Sequence, residues 1–382
     1  MSRPLRGAVI GYGFIASRGH APTYAKHMGN GRAVEIIAVA DICEARRQAA
    51  HGQFPDARIY PDHRSLLAAE AGKLDFVDIA TPPAHHAEIA HAAFDRGLHV
   101  LCEKPMATSV EEAAGMLHHA LKARRVYFPC HNYKHAPVVK AVRGVLDEGI
   151  IGPVHLVTMQ TFRNTHAKGV ADWRPDWRRE RSYAGGGIAM DHGSHTFYLA
   201  FEWMKSYPSA ITAHTSIAPG FDTEDMMGCT LTFPSGVVSA HLSWTAGVRK
   251  VIYTLHGARG AIRVEDENIE VAILEAGPGV VAPGSPGKCR FEQRVAPSDW
   301  MDASHVGWFS SLFDEFRATM ARSEFVGKDA REAFLCIQLI ERAYRSAREG
   351  SRQLDLEQSV VDRPARGSRT HAPAAATIVE TV

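Results

Sequence analysis

Three stretches of this chain carry residue types and spacings that could do chemistry together. Gly11, Gly13 and Ala16 form a Gly-x-Gly-x-x-Ala string. Gly11 permits a tight turn, Gly13 has no side chain to hold backbone N–H groups away from a phosphate, and Ala16 lets a helix lie close to the preceding strand. Glu103, Lys104 and Pro105 follow an apolar run, which sets an amine at a strand end. Partial desolvation there would lower the pKa of Lys104 toward neutrality, where it can give and take a proton, with Glu103 orienting the amine or compensating its charge. Gly185, Gly186 and Gly187 precede Asp191 and His195, which are four apart and so predict a shared helix face. An amine, a carboxylate and an imidazole that converge suit the oxidation of a hydroxyl. One group takes the proton as hydride leaves the carbon, and the others fix the oxygen. The sequence leaves open whether Lys104 or His195 carries the proton; the expectation is His195 as the immediate acid/base, with Lys104 polarising and orienting the oxygen.

The elements that must position these residues differ between the two halves of the chain. Apolar runs at 5–10, 34–40, 58–60, 76–80, 99–103 and 126–128 alternate with helical patterns such as 86–96 and 110–124, the latter opening on a capping-box spacing from Ser109 to Glu112. Continuous apolar strands separated by helices imply a parallel sheet covered on both faces. After Gly152 and Pro153, period-two alternation takes over at 154–162, 210–217, 226–233, 237–244, 248–256 and 269–274, which predicts an antiparallel sheet with one packed face. One helix interrupts this set near the glycine run, and two more are predicted at 305–322 and 329–348. Residues 277–287 read as a surface loop, and the tail from about Arg363 lacks a core-forming pattern.

In its strand–turn–helix context the glycine string predicts a dinucleotide site, with contacts from Gly11, Gly13, Phe14, Ile15 and Ala16. Asp41 ends the second strand, where a carboxylate accepts both hydroxyls of an adenosine ribose and repels a 2′-phosphate, so NAD is expected over NADP. The competing reading of Asp41 is a cap for the next helix, and Arg46 and Arg47 stand close enough to swing toward a phosphate. Thr81 and Pro82 end another strand and could line the nicotinamide side. Asn132 and Tyr133 are candidates for substrate contact. So are His166 and Trp173, in a polar segment (162–184) that also holds Arg174, Arg178, Arg179 and Arg181. The aromatic residues could stack on a sugar, and the arginines could favour a carboxylate, a phosphate or a nucleotide-linked sugar, or form a solvated face. Asp191, His192 and His195 resemble a metal-ligand spacing, but a third ligand and its support are not evident, and no metal is expected.

The chain resembles the glucose–fructose oxidoreductase / inositol dehydrogenase / MocA (Gfo/Idh/MocA) family over roughly residues 5–350. The resemblance rests on the Gly11–Ala16 turn, Thr81-Pro82 with His86 five residues on, 97–100, Glu103-Lys104-Pro105, 149–154, and the pattern from Gly185 to His195. It implies an α/β fold: an N-terminal Rossmann doubly wound parallel sheet (1–128) and a C-terminal α/β domain (129–355) with a large open, mostly antiparallel sheet for substrate binding and oligomerisation, followed by a flexible or docking tail (356–382). It implies NAD(H)-dependent hydride transfer on sugars, cyclitols or related polyols, with Lys104, Asp191 and His195 at the substrate. His86, Glu103 and Lys104 join the expected cofactor contacts. It also implies dimers or tetramers through the large sheet. NAD-dependent glycoside cleavage in the same fold and a non-catalytic NAD-binding regulator are the competing functions.

Composition narrows the partners. Among 382 residues, 43 are Lys or Arg and 42 are Asp or Glu, a net +1 that offers no footprint for nucleic acid or an anionic membrane. No apolar run reaches the length of a bilayer span. The six scattered cysteines lack a C-x-x-C pair and read as reduced thiols, and no export signal is visible, so a cytoplasmic setting is expected.

Overall fold

The computed structural model describes residues 3–29, 33–275, 288–296 and 304–356. The loop expected at 277–287 and the tail beyond 356 lie outside the described residues.

The first half alternates strand and helix. β1 (Leu5–Ile10), α1 (Ala21–Gly29), β2 (Val34–Ala40), α2 (Glu44–Gln53), β3 (Arg58–Tyr60) and α3 (His63–Ala69) build one wing. β4 (Phe76–Ile79), α4 (His86–Asp95), β5 (His99–Cys102), α5 (Val110–Ala123) and β6 (Tyr127–Pro129) build the other. The six strands run parallel in the order β3-β2-β1-β4-β5-β6. The order reverses between β1 and β4, which opens a crevice at the carboxyl ends of those strands. At the start of α5, Ser109 Oγ accepts the Glu112 N–H at 3.1 Å, while the Glu112 carboxylate reaches back to the N–H of Thr108 rather than that of Ser109.

After α6 (Pro137–Asp147) the second sheet begins with β7 (Val154–Phe162). Two short elements follow, α7 (Arg181–Ala184) and the longer α8 (Ser194–Met204). Then come β8 (Ala210–Ser216), β9 (Met226–Phe233), β10 (Gly236–Ser243), β11 (Lys250–Gly257), β12 (Gly260–Glu265), β13 (Asn268–Leu274) and β14 (Cys289–Val295). α9 (Val306–Ala321), α10 (Lys328–Arg348) and β15 (Leu354–Asp355) complete the described chain. The nine strands lie in the order β14-β13-β12-β11-β7-β10-β9-β8-β15. Every pair is antiparallel except β7 with β10.

This sheet is larger than the alternation suggests. β12 opens at the second glycine of the Gly257–Gly260 turn, so a stretch that reads as a separator is a hairpin. β14 carries Arg290, Glu292, Gln293 and Arg294, and an edge strand bearing so much charge lacks the apolar alternation that marks a half-buried strand.

α8 and α10 cover one face of the large sheet, whereas α9 returns to the first sheet. Phe313 and Phe316 of α9 pack on Tyr24, Phe76 and Phe128 from the parallel sheet and its flanking helix. The core of the N-terminal half is therefore closed by a helix from the far end of the chain, which a single cut near residue 129 does not convey. Across the uncovered face of the large sheet, Thr212, Thr230, Ser239, Thr158 and Thr254 stand in register on five neighbouring strands. The next row holds Val237, Leu156, His256, Ala261, Ala272 and Phe291. No helix among the described residues is long and apolar enough to cross a membrane.

Candidate active site

Gly11 has φ +89°, and a Cβ there would lie 2.8 Å from the Ala80 carbonyl oxygen, so only glycine fits where β1 meets β4. A Cβ on Gly13 would meet nothing within 4 Å, which leaves the backbone of the turn open to the crevice. Ala16 is fully buried, while Phe14 is 44% exposed at the mouth. Asp41 is not the cap of α2, whose cap position is Cys43 with no side-chain cap bond; its two carboxylate oxygens instead accept the N–H groups of Tyr12 (2.6 Å) and Cys43 (2.7 Å). Burial raises its pKa against these bonds and the nearby Arg46 and Arg47. Arg46 donates to the Tyr12 carbonyl at 2.9 Å and to Asp172 at 3.2 Å, and Arg47 donates to the Asp41 carbonyl at 2.9 Å. Both arginines are engaged rather than swung toward a phosphate.

Thr81 Oγ1, at the end of β4, is buried with no hydrogen-bond partner, and so is Asn132 Oδ1 just beyond β6. Orphaned buried oxygens at neighbouring strand ends fit a ligand that supplies their partners. Together with the open backbone at Gly13, they fit a dinucleotide lying along the switch between β1 and β4. His86 takes a different place from the one expected. Its ring nitrogens lie 2.8 Å from the Thr81 carbonyl and 3.0 Å from that of Pro105, so it ties two strand ends together from behind the crevice.

Lys104 reaches across from β5 to the second half. Its Nζ donates to the Asp191 carbonyl at 2.6 Å and to Asp191 Oδ1 at 3.0 Å. The amine is thus held in an ion pair instead of standing alone in apolar surroundings. Glu103, the residue before it just past the end of β5, points to the other side. It accepts from the Lys104 N–H and meets His20 Nε2 at 3.1 Å, so its carboxylate does not touch the Lys104 amine. Asp191 is buried, which would raise its pKa, but Lys104, Arg178 and His192 outweigh that and hold it well below the usual carboxylate range.

The glycine run exists to bring Asp191 close. A Cβ on Gly186 would fall 1.9 Å from the Tyr344 hydroxyl, and one on Gly187 would fall 1.9 Å from the Glu224 carbonyl oxygen. The buried Glu224 carboxylate accepts the N–H groups of Gly187 and Ala189, both at 2.9 Å, and the Tyr344 hydroxyl at 2.8 Å. The chain then makes one wide π turn, Ala189–Gly193, before α8. A π turn has more residues per turn than an α-helix, so the four-residue spacing does not stack Asp191 on His195. No hydrogen bond joins the two among the described residues. Instead, His195 Nδ1 lies 2.6 Å from the Tyr198 hydroxyl, which also accepts the Tyr133 N–H at 3.2 Å. The His195 ring stacks on Tyr133 with centroids 3.8 Å apart. Burial, with Lys104 and His192 adding to it, pushes the His195 pKa well below its ordinary value, so the imidazole is neutral and Nε2 is its available atom.

Two expected substrate contacts lie elsewhere. His166 Nε2 bonds Asp176 at 2.7 Å and the His166 ring sits beside Trp244, so it holds its own loop together. Trp173 packs edge-on against Tyr183, whose ring in turn meets His85 after β4, so it joins the loop to the first half. Tyr198, Glu224, Tyr344, His20 and Asp78 were not anticipated. Asp78 alone carried a signal, as a charge inside the apolar strand Phe76–Ile79. Two groups of side chains have metal-ligand proximity, His20–Glu103–Cys130 and His131–Asp329–Glu332. In the first, the His20 ring bridges the Asp78 and Glu103 carboxylates, and in the second the Lys134 ammonium binds both acids.

This geometry belongs to an oxidoreductase of the Rossmann type. Residues 5–131 match the "Oxidoreductase family, NAD-binding Rossmann fold" of GFO/IDH/MocA proteins, and residues 139–263 match the GFO/IDH/MocA C-terminal domain. The chain belongs to the Gfo/Idh/MocA family and has its NAD-binding domain. It is 26% identical to a D-apiose dehydrogenase of Paraburkholderia graminis over 367 residues, 94% of this chain and 92% of that enzyme. It is 29% identical to the D-glucoside 3-dehydrogenase of Escherichia coli over 216 residues, 56% of this chain and 58% of that one. The fold matches a levoglucosan dehydrogenase in complex with NADH, with TM-score 0.76, 22% identity, and coverage of 94% of this chain and 100% of that one.

Proposed function

We propose that this protein is an NAD(H)-dependent dehydrogenase that moves a hydride between the nicotinamide and a secondary hydroxyl or ketone carbon of a sugar, cyclitol or related polyol. The observation that carries the reading is the Lys104–Asp191 pair, 3.0 Å apart at the carboxyl end of β5 beside a neutral, buried His195. Relatives named as dehydrogenases of apiose, glucosides and inositol support the substrate class.

Bound NAD supplies the hydride acceptor for oxidation. The protein's own work is to hold the hydroxyl and move its proton. The Lys104 ammonium, fixed by Asp191, donates to the substrate oxygen and stabilises negative charge as it develops there. Tyr198 occupies His195 Nδ1, which leaves Nε2 to take the hydroxyl proton. Tyr133, stacked on the imidazole, holds the ring plane and shields it from water.

The test is NADH formation across a panel of sugars, polyols and sugar acids, repeated with Lys104→Ala. Steady NADH production that the substitution abolishes supports the reading. Cleavage of a glycoside with no net NADH would replace it with the oxidation–elimination–reduction chemistry. NAD binding without turnover of any compound would favour a regulator.

Association through the uncovered sheet face is part of the proposal, since Leu156 and Val237 stand exposed on adjoining strands and Phe291 stands exposed in the same row on the edge strand. A clean monomer in gel filtration would overturn it. All six cysteines are free thiols, which supports a reducing, cytoplasmic setting.

A further inference from the structure

The segment joining β7 to the glycine run is rich in arginine, and its arginines have different fates. Arg174 donates to Glu180 at 2.9 Å, and Arg181 donates to the Asp222 carbonyl at 2.6 Å. Arg179 pairs with Asp225 and lies between Phe221 and Trp244. These three guanidiniums hold the segment to its neighbours; Arg179 Nη1 is left buried without a hydrogen-bond partner, but it lies at Asp225 rather than at the Lys104–Asp191 pair.

Arg163 and Arg178 are placed otherwise. Arg178 Nε stands 3.5 Å from Asp191 Oδ1, the oxygen already bonded by Lys104 at 3.0 Å, and it is buried with no hydrogen-bond partner. The same guanidinium donates to the Ala167 carbonyl at 3.2 Å and lies over the Trp177 ring, 4.3 Å from its centroid. Arg163, one residue past β7, donates to the Phe162 carbonyl at 2.9 Å and pairs with no carboxylate among the described residues. Arg163, Arg178 and Lys104 all act on His192, whose pKa is lowered to about 3 by burial, against the pull of Asp191 and with these three cations adding to the shift. Arg249 lies close enough to Arg163 to act on it.

Two cations, Lys104 and Arg178, thus flank one carboxylate at the reacting centre, and Arg163 adds positive charge beside the adjoining His192. Glu103 cannot compensate, because its carboxylate serves His20 on the far side of the strand. Leaving part-buried guanidinium N–H groups unmatched is costly, and a planar oxyanion matches their geometry with charge-assisted hydrogen bonds. Recognition of neutral hydroxyls calls for a mixture of donors and acceptors, whereas this cluster offers donors in excess.

We infer that the sugar or polyol handled at this site carries an anionic group, a carboxylate or a phosphate, bound by Arg163 and Arg178 beside the Lys104–Asp191 pair. The inference rests on the dehydrogenase reading for its sugar, but not for its anion.

The full chain with NAD is assayed against matched sets: D-glucose with D-glucuronate, D-gluconate and the terminal phosphate ester of glucose, and the same four forms of galactose. The expected result is a kcat/KM for one anionic form about 100-fold above that of its neutral twin, as two charge-assisted hydrogen bonds imply. Activity with the uronate or aldonate identifies a carboxylate, and activity with the ester identifies a phosphate. Arg163→Gln and Arg178→Gln should each cut the preference about tenfold through KM, with partial recovery in the Arg→Lys versions. Equal use of neutral and anionic twins, or a preference unmoved by the double variant, would overturn the anion site while leaving the dehydrogenase intact. If no compound yields NADH, quenching of tryptophan fluorescence in the NADH-loaded protein separates the two readings. Saturable quenching by D-glucuronate, D-gluconate or the phosphate ester that is lost in Arg163→Gln and Arg178→Gln supports the anion site and sinks the dehydrogenase. Quenching by none of them sinks both.

Discussion

Glu103 and Lys104 are consecutive residues at one strand end, yet they serve two charged clusters of opposite character. Successive side chains leave a strand on opposite faces, so Lys104 enters the crevice and Glu103 enters the core. On the core side, His20 Nδ1 meets Asp78 at 2.8 Å, His20 Nε2 meets Glu103 at 3.1 Å, and the Tyr24 hydroxyl donates to Asp78 at 2.8 Å. Phe309 of α9 stacks on His20 at 3.7 Å and seals the cluster. On the crevice side, Asp191 carries Lys104 and Arg178, and nearby Thr81 Oγ1, Asn132 Oδ1 and Arg178 Nε lack partners. The core cluster is closed and largely bonded within itself, although Asp78 Oδ1 is left without a partner. The crevice cluster is open and leaves both a donor, Arg178 Nε, and acceptors such as Asn132 Oδ1 without partners, as a binding site can. A charged triad near a cofactor does not by itself mark chemistry; what distinguishes the two clusters is which one has its unmade bonds at an open crevice.

Substitutions on each side should sharpen that contrast. The largest expected effect is on turnover: Lys104→Ala should lower kcat/KM on the order of 10²–10⁴-fold, with a smaller loss of stability in urea than Glu103→Leu because Arg178 still faces Asp191, measured by NADH formation and equilibrium unfolding. Glu103→Leu should do the reverse. Removing one partner of a buried charge cluster should cost about 3–5 kcal/mol of stability in urea unfolding, with kcat of the remaining folded enzyme within a few-fold. A collapse of kcat without loss of stability in Glu103→Leu would break the division between the two faces. A smaller effect is expected from Tyr198→Phe, which keeps the ring packing and removes the Nδ1 partner of His195. We expect kcat to fall about tenfold with KM held, because one hydrogen bond of this kind is worth roughly 1–1.5 kcal/mol. A lower melting temperature with unchanged kcat would make Tyr198 purely structural.

Much of this was legible in the sequence. The strand–Gly11–Ala16–helix order declares the first half, because a phosphate-binding turn needs small residues at fixed places. The glycine run before Asp191 is equally readable, although its cause is not. Gly186 and Gly187 are small to admit Tyr344 and Glu224, which lie far along the chain. Spacing also misled where local geometry departs from the regular helix, as in the π turn between Asp191 and His195. His86 and Glu103 have the right residue types for a cofactor site, but sequence does not say which face a side chain takes once strands have twisted. The fates of the arginines were illegible for the same reason: Arg179 and Arg178 are adjacent, and only the fold gives one to Asp225 and the other to Asp191.

The smallest expected effect concerns pH and the closed cluster alone. Burial opposes protonation of His20, but Asp78 and Glu103 outweigh it and raise its pKa from 6.5 to about 9. A group whose pKa is raised on folding contributes stability that is complete below its unfolded value and is lost as pH climbs through its folded value. The melting temperature should therefore hold near pH 6 and decline by a few degrees between about pH 6.5 and 9.5. Other groups titrate in that window, so the informative quantity is the slope in wild type compared with that in His20→Gln. The variant should start lower and decline less, since glutamine can bridge both carboxylates by hydrogen bonds but has no proton to lose. Equal slopes would mean that His20 sits neutral between its partners, with the shared proton on Asp78 or Glu103. In that case the closed cluster is a hydrogen-bond network rather than an ion bridge, and the net positive charge of the crevice has no counterpart behind the strand.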